Sequence, residues 1–338
     1  MTFPPLFNPS NDMALASGLR QYSPPKRIQQ MENDLAPLAT LWEDMPFRGP
    51  WGWSLATKRR YRQMGIPEAD LPGDEWLNEV RRLSSREFAC DYLHHLIRPF
   101  ENDKRLLGHG MRFHTEAQEP TGEAQIFKSP WSSSGRGVFT SANLTREQIL
   151  TRLRGFISTQ GGYVSDHFYA GKTLDFAMEF FVSEDHSVQF LGYSIFHTEA
   201  NGTYAYNLVD GQDHLRSLID YDDDLLSRLI DYHILHLGKT SYHGPVGIDM
   251  LLTSPEEDTM PNGILPKCKI VQSTNGKSSN GKYLHPVVEI NFRMNMGILA
   301  LLLYERYGAG ATVQLTPERL HGFQAMVEGG RLMITYKP

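Results

Sequence analysis

Cysteine is nearly absent from this chain: two residues, Cys90 and Cys268, in 338. They form no CxxC pair and no framework, so disulfides are not expected to hold the fold together. Cys90 and His94 lie four apart on a predicted helix, with His95 next. A zinc site needs three or four convergent ligands, so the plainer reading of this trio is a half-buried helix face. Long apolar runs are missing too. The longest, Met296–Leu303, is closed by Glu305 and Arg306 and falls short of the roughly 18 residues a membrane helix needs. No basic region precedes an apolar stretch at Met1–Pro5, so no secretory signal is expected. An excess of positive charge is also lacking. The net charge is -6, with both signs mixed along the chain, which excludes the broad basic surface that duplex nucleic acid requires. A local basic pocket for phosphate is still allowed. These absences predict a soluble, cytoplasmic protein with neither nucleic acid nor membrane as partner.

What is present is the composition of a globular chain. Hydrophobic residues make up 40%, enough for a substantial core, and the length predicts two or three packed lobes. Residues 1–80 are rich in Pro, Trp and Gly. Trp42 and Trp51-Gly52-Trp53 predict a compact aromatic core around short elements, and Pro72-Gly73-Asp74 a turn at a lobe boundary. Ser84 followed by Glu87 predicts a capping box opening a helix that carries Phe88, Tyr92, Leu93 and Leu96. Gln125–Lys128 predicts a short strand. Thr145 with Gln148 predicts a second capped helix to about Phe156. From Gly162 the pattern turns to strands at Tyr163–Tyr169, Leu174–Ser183 and Val188–Phe196. A helix at Asp222–Leu237 and apolar strands at Val246–Thr253 and Val287–Phe292 follow. Thr253–Tyr283, rich in Pro, Asn, Gly and Ser, reads as a surface hairpin or insertion around a strand at Cys268–Gln272. No internal repeat is visible.

Two segments carry chemistry. In the first, a strand delivers Lys128 into the loop Ser129-Pro130-Trp131-Ser132-Ser133-Ser134-Gly135-Arg136-Gly137. Small residues let backbone N–H groups approach phosphate oxygens, and the lysine adds a point charge. The loop is not a Walker A motif, because no Gly-Lys-Ser/Thr ends it, and it lacks the third glycine of a dinucleotide fingerprint. In the second, Gly247-Ile248-Asp249-Met250 puts a carboxylate inside a strand, and Glu289-Ile290-Asn291-Phe292-Arg293 puts Glu and Asn two apart on another. Residues two apart on a strand share a face. Asp, Glu and Asn are the hard oxygen donors that magnesium takes together with nucleotide phosphates. A solvated outer strand face would give the same alternation.

In this order, strand lysine with small-residue loop, hinge strand, strand Asp, then Glu-x-Asn-x-Arg, the chain resembles the ATP-grasp superfamily from about Ser84 to Gly297. The resemblance implies an α+β fold in which two lobes clamp ATP, an N-terminal lobe at 1–80, and an ATP-grasp unit at 81–338. That unit divides into a nucleotide-loop lobe (81–165) and a metal-site lobe (166–338). It implies that Lys128 reaches the α-phosphate and the adenine edge, and that Ser132, Ser133, Ser134, Gly135 and Gly137 cover the β- and γ-phosphates. Arg86 stands where the family has a first lysine, which keeps the charge and changes its geometry. Val164–Tyr169 looks like the hinge, with backbone groups of His167 and Tyr169 meeting adenine and Asp166 where the family has Glu. Asp175 resembles the ribose-binding acid. Asp249, Glu289 and Asn291 resemble the ligands of Mg2+, with Mn2+ as a substitute ion, and Arg293 the arginine that steadies charge on the transferred phosphoryl group. His197, Tyr204 and Asn207 fall where the family contacts its acceptor, or are loop residues bonding one another. Asn8–Asp12 reads either as part of the substrate site or as a turn with a helix cap.

The expected activity is that of an ATP-dependent, carboxylate–amine or –thiol ligase-like enzyme. Its partners would be ATP and a small carboxylate or peptide-like substrate. Phosphotransfer to a hydroxyl or phosphate acceptor on the same fold, and nucleotide binding without turnover, are the alternatives.

Overall fold

The structure, a computed structural model, describes residues 3–121, 124–132, 137–199, 203–254 and 281–338. The helices are α1 (Asn11–Ser17), α2 (Lys26–Asp34), α3 (Leu55–Gln63), α4 (Asp74–Leu83), α5 (Arg86–Ile97), α6 (Arg146–Gln160), α7 (Gln212–Ile219), α8 (Asp223–Leu237) and α9 (Met296–Tyr307). The strands are β1 (Arg112–His114), β2 (Gln125–Lys128), β3 (Val138–Thr140), β4 (Tyr163–His167), β5 (Lys172–Val182), β6 (Val188–Thr198), β7 (Tyr204–Leu208), β8 (Gly244–Thr253), β9 (Tyr283–Asn291), β10 (Val313–Gln314), β11 (Gly322–Glu328) and β12 (Arg331–Lys337). The fold is α+β. One antiparallel sheet has the order β1-β4-β2-β3, and the other β10-β11-β12-β7-β6-β5-β8-β9.

Alternation along single strands decides what each sheet face meets. On β5, Phe176, Met178, Phe180 and Val182 are buried in one cluster with Leu225, Leu226 and Leu229 of α8 and Leu93 and Leu96 of α5. Each such side chain contributes about 1.5–3 kcal/mol of burial. The intervening Asp175, Ala177 and Glu179 therefore point to the opposite face. In the small sheet, Phe127 and Tyr163 pack on Ile149 and Leu153 of α6, which leaves Ile126, Lys128 and Asp166 for the other face.

Helix starts follow side-chain chemistry. Thr145 caps α6 in a full capping box with Gln148, and Gly161 closes the helix at φ 83. The cap of α5 is Ser85, not Ser84 as the sequence suggests. Ser84 is taken as the C-cap of α4, with its N–H on the Val80 carbonyl. Ser85 is extended and accepts from the Phe88 N–H, so Glu87 is one position too early for the box. The expected boundary at residue 80 lies within α4. Cys90 is buried and burial raises its thiol to about 11, the state of an unreactive cysteine. Among the described residues no three His, Cys, Asp or Glu side chains stand together as a metal-holding group, and no helix is long and apolar enough to cross a membrane. The strand expected at Cys268–Gln272 lies outside the described residues.

The N-terminal segment is stitched to itself and to residues between 294 and 323. Leu6 bonds to both sides of Pro50, its N–H to the Gly49 carbonyl and its carbonyl to the Trp51 N–H, and Met294 N–H reaches the Trp51 carbonyl at 2.8 Å. The rings of Phe7 and Trp42 pack on Trp51 at 5.1 and 5.9 Å. At the end of α2, Asp34 accepts from Phe323 N–H of β11 at 3.0 Å and pairs with Arg319 at 3.1 Å.

Candidate functional site

A cleft of about 770 Å³ runs between the free faces of the two sheets, lined from one side by Lys128 and Asp166 and from the other by Asp175, Asp249, Glu289 and Asn291. Lys128 enters it because β2 pairs with both β3 and β4, with Lys128 opposite Val138 and Val164. Burial, with the neighbouring Arg86 charge, lowers the ammonium from its ordinary range. Gly137 closes the following loop at φ 65, where a Cβ would stand 2.3 Å from Ser129 Oγ. Only glycine fits that turn. Ser133, Ser134 and Gly135 lie outside the described residues, and Ser132 is buried.

Arg86 opens α5, is buried and lines the cleft. Its Nη1 donates to the Ser129 carbonyl and to Ser132 Oγ, both at 2.7 Å. Its Nη2 donates to both oxygens of Glu289 at 2.9 and 2.8 Å. The arginine thus ties the start of the small-residue loop to the candidate metal strand.

That strand is β9, and its register on β8 sets Asp249 opposite Glu289 and Gly247 opposite Asn291. Asn291 Nδ2 donates to Asp249 Oδ2 at 3.2 Å. Burial, then the charges of Glu289 and Glu179, push the Asp249 carboxyl well above the usual range. Two carboxylates and an amide oxygen on adjacent strands, with one acid strained by its own neighbours, suit a hard divalent cation. Each Glu289 oxygen keeps a lone pair after the Arg86 bonds. The donor set therefore fits magnesium.

At the end of β4, Asp166 Oδ1 accepts the His167 N–H at 2.7 Å and Oδ2 accepts from His285 Nε2 at 2.8 Å. Burial pushes the Asp166 carboxyl upward, but His285 and Lys128 outweigh it and hold the group below its ordinary value. The Asp166 side chain meets His285 of β9, and both residues line the cleft. Tyr169 and His167 line the same end of the cleft, and Tyr169 Oη accepts the Gly108 N–H at 3.2 Å. Asp175 accepts from Lys172 Nζ at 2.6 Å and Thr198 Oγ1 at 2.8 Å. Tyr204 and Asn207 also line the cleft, whereas His197 points the other way and stacks on Tyr206 at 5.2 Å.

Three residues of this site carry no signal in the sequence pattern. Glu179 lies beneath the N-terminus of α9, where Ser194 Oγ and Asn295 Nδ2 each donate to it at 2.7 Å. Burial raises its carboxyl to about 7. Asn295 in turn caps α9 through the Ile298 N–H. His285 is the third. Asp12, read from the sequence as either a substrate-site residue or part of a turn, meets Arg293: Arg293 Nε stands 3.0 and 3.1 Å from its two oxygens and Nη2 at 2.9 Å.

No family model and no curated protein matches the sequence. Among solved structures, the chain is similar to biotin carboxylase from Campylobacter jejuni in a β,γ-ATP complex, with 11% identity over 79% of this chain and 54% of that one, at a TM-score of 0.45. It is similar to L-amino acid ligase from Bacillus licheniformis at 13% identity, over 78% of this chain and 54% of that one, with a TM-score of 0.39. Rhizobium etli pyruvate carboxylase gives 12% identity over 76% of this chain and 20% of that one, at 0.46. The chain spans about half the length of the first two, and these are likenesses of fold alone. The fold is legible in the chain's own geometry: a small antiparallel sheet carrying Lys128, a large antiparallel sheet carrying Asp249, Glu289 and Asn291, and a cleft between them. The described residues thus form an α+β architecture in which two antiparallel sheets face one cleft.

Proposed function

We propose that the chain is a magnesium-dependent, ATP-consuming ligase that activates a substrate carboxylate by phosphorylating it. The observation that carries this reading is the β8–β9 register, which brings Asp249, Glu289 and Asn291 together in one cleft with Lys128 and Arg293. In this reading Lys128 meets the α-phosphate side of ATP, and Arg86, Ser132 and Gly137 shape the phosphate end. Backbone groups of His167 and Tyr169, braced by Asp166, meet adenine, and Asp175 meets ribose. Asp249, Glu289 and Asn291 hold Mg2+, or Mn2+ in its place. Magnesium, when bound, offsets charge on the β- and γ-phosphates.

A substrate carboxylate oxygen attacks the γ-phosphorus while the bond to the β,γ-bridging oxygen breaks, and that oxygen leaves on ADP with the bonding electrons. The product is an acyl phosphate, from which an amine or thiol then displaces phosphate. Arg293 steadies charge on the transferred group, and position and electrostatics suffice without a protein nucleophile. The lobes at 1–80, 81–165 and 166–338, and a cytoplasmic setting, belong to the same reading.

The test is isotopic. Candidate carboxylates are screened with amines for ADP release, and the active one is then supplied with oxygen-18 in its carboxylate. Acyl phosphate chemistry moves one labelled oxygen into the released phosphate, read by mass spectrometry. Unlabelled phosphate during productive turnover rejects the mechanism. A phosphorylated hydroxyl or phosphate product would instead identify a phosphotransferase, and nucleotide binding without ADP release a binding module.

A further inference from the structure

We propose that Asp12, contributed by the N-terminal segment, is a positioning residue that fixes the guanidinium of Arg293 in the orientation needed to meet the transferred phosphoryl group. The proposal rests on the reading of Arg293 given above. Arg293 is held from three directions. Its Nε and Nη2 face the Asp12 carboxylate at 2.9–3.1 Å. Nη1 donates to the Met294 carbonyl at 3.0 Å. The backbone beyond it is pinned by Met294 N–H on the Trp51 carbonyl, and by Asn295 on Glu179. Nε donates to both Asp12 oxygens while Nη2 lies in ion-pair reach of Oδ2, which holds the guanidinium in place and restrains its rotation. At least one N–H on each Nη is then left for an anion in the cleft.

Asp12 is itself supported from behind. Asn8 Nδ2 donates to the Gly52 carbonyl at 2.9 Å and to Thr57 Oγ1 at 3.1 Å, and Ser10 Oγ donates to Glu32 at 2.5 Å. Gly52 follows Trp51, whose carbonyl receives the Met294 N–H. One short loop therefore sets both the acid and the backbone of the arginine it orients. Both side chains are nearly buried, at 13% exposure for Arg293 and 11% for Asp12, so neither competes freely with water for the other. A donor held this way needs no reorganisation when charge develops on the transferred group, which is where such donors act most strongly.

The experiment uses MgADP with and without aluminium fluoride, a mimic of the transferred phosphoryl group, on the full chain, with affinities read by calorimetry. Wild type should gain affinity when fluoride is added, and Arg293→Ala should lose that gain. Asp12→Asn should bind MgADP within about twofold of wild type but lose about tenfold of the fluoride-dependent gain. Asp12→Glu should recover at least part of it. Retention of the full gain by Asp12→Asn, with loss in Arg293→Ala, overturns the role of Asp12 alone. Retention in Arg293→Ala overturns the reading of Arg293 and the proposal with it. Should Asp12→Asn not fold, the wild type still decides. Its Arg293 Nε proton, assigned in NMR spectra by its loss in Arg293→Lys, must resist solvent exchange with MgADP and fluoride bound, and free exchange overturns the proposal.

Discussion

Replacing Glu179 by Gln should make the protein more stable at pH 8 and change its stability far less at pH 5. Glu179 is 1% exposed, and burial raises its carboxyl from 4.5 to about 7. The folded chain holds this proton up to about pH 7, whereas the unfolded chain releases it near 4.5. Between those values the folded state binds more protons, so stability falls as pH rises. Above pH 7 the full penalty, roughly 3 kcal/mol, is in place. Gln removes it without leaving polar atoms unpaired. Its carbonyl can accept from Asn295 Nδ2, and its amide can donate to a rotated Ser194 hydroxyl, the two contacts now made at 2.7 Å. The value of about 7 already includes the help those two bonds give the charged form, so the gain at pH 8 is the whole penalty, about 3 kcal/mol. Urea unfolding followed by tryptophan fluorescence at pH 5, 6, 7 and 8 measures the difference directly. Parallel stability curves for the two proteins across this range would refute the reasoning.

Two further outcomes follow from the same cleft. Lys128→Ala should weaken MgADP binding about tenfold or more, the loss of one charge-assisted contact, and calorimetry on the folded variant with unchanged affinity would remove Lys128 from the nucleotide site. Glu289→Gln should abolish nucleotide-dependent Mn2+ binding in relaxation measurements and also lower the thermal stability of the ligand-free protein, because it leaves buried Arg86 without its bidentate partner. A fully buried pair broken this way costs about 3–5 kcal/mol. Glu289 retains 25% side-chain exposure, so the expected loss is smaller, about 1–2 kcal/mol.

Local chemistry made much of this structure legible in the sequence. The Thr145–Gln148 box, the helix from Asp222, the strand runs of β5 and β6 and the apolar run of β8 depend on neighbours a few positions away. The Ser84–Ser85 ambiguity arose because two helices abut, and the first of them claims the earlier serine for its own end. The Glu-x-Asn pair on β9 was legible because polar residues interrupt an otherwise apolar strand. Glu179 was not, since a glutamate alternating with Met178 and Phe180 looks like any strand residue facing water. What buries it is the start of α9, and Asn295 comes 116 positions later. His285 and Asp166 meet across 119 positions, and Asp12 and Arg293 across 281. Such pairs are set by strand order and packing, which no local pattern encodes.

The bond between Asp34 and Phe323 joins residues 289 positions apart, and β12 docks on β7 across more than a hundred residues, with Arg331 opposite Leu208. The chain's first helices thus wait for its last strands before they can complete their packing. Loop closure over such distances is an entropic cost met before any contact repays it, so this topology belongs to slow-folding architectures. During synthesis the aromatic segment around Trp42 and Trp51 must stand partly uncovered while some 270 further residues are made. That interval is when the chain is most exposed to self-association and to chaperone binding.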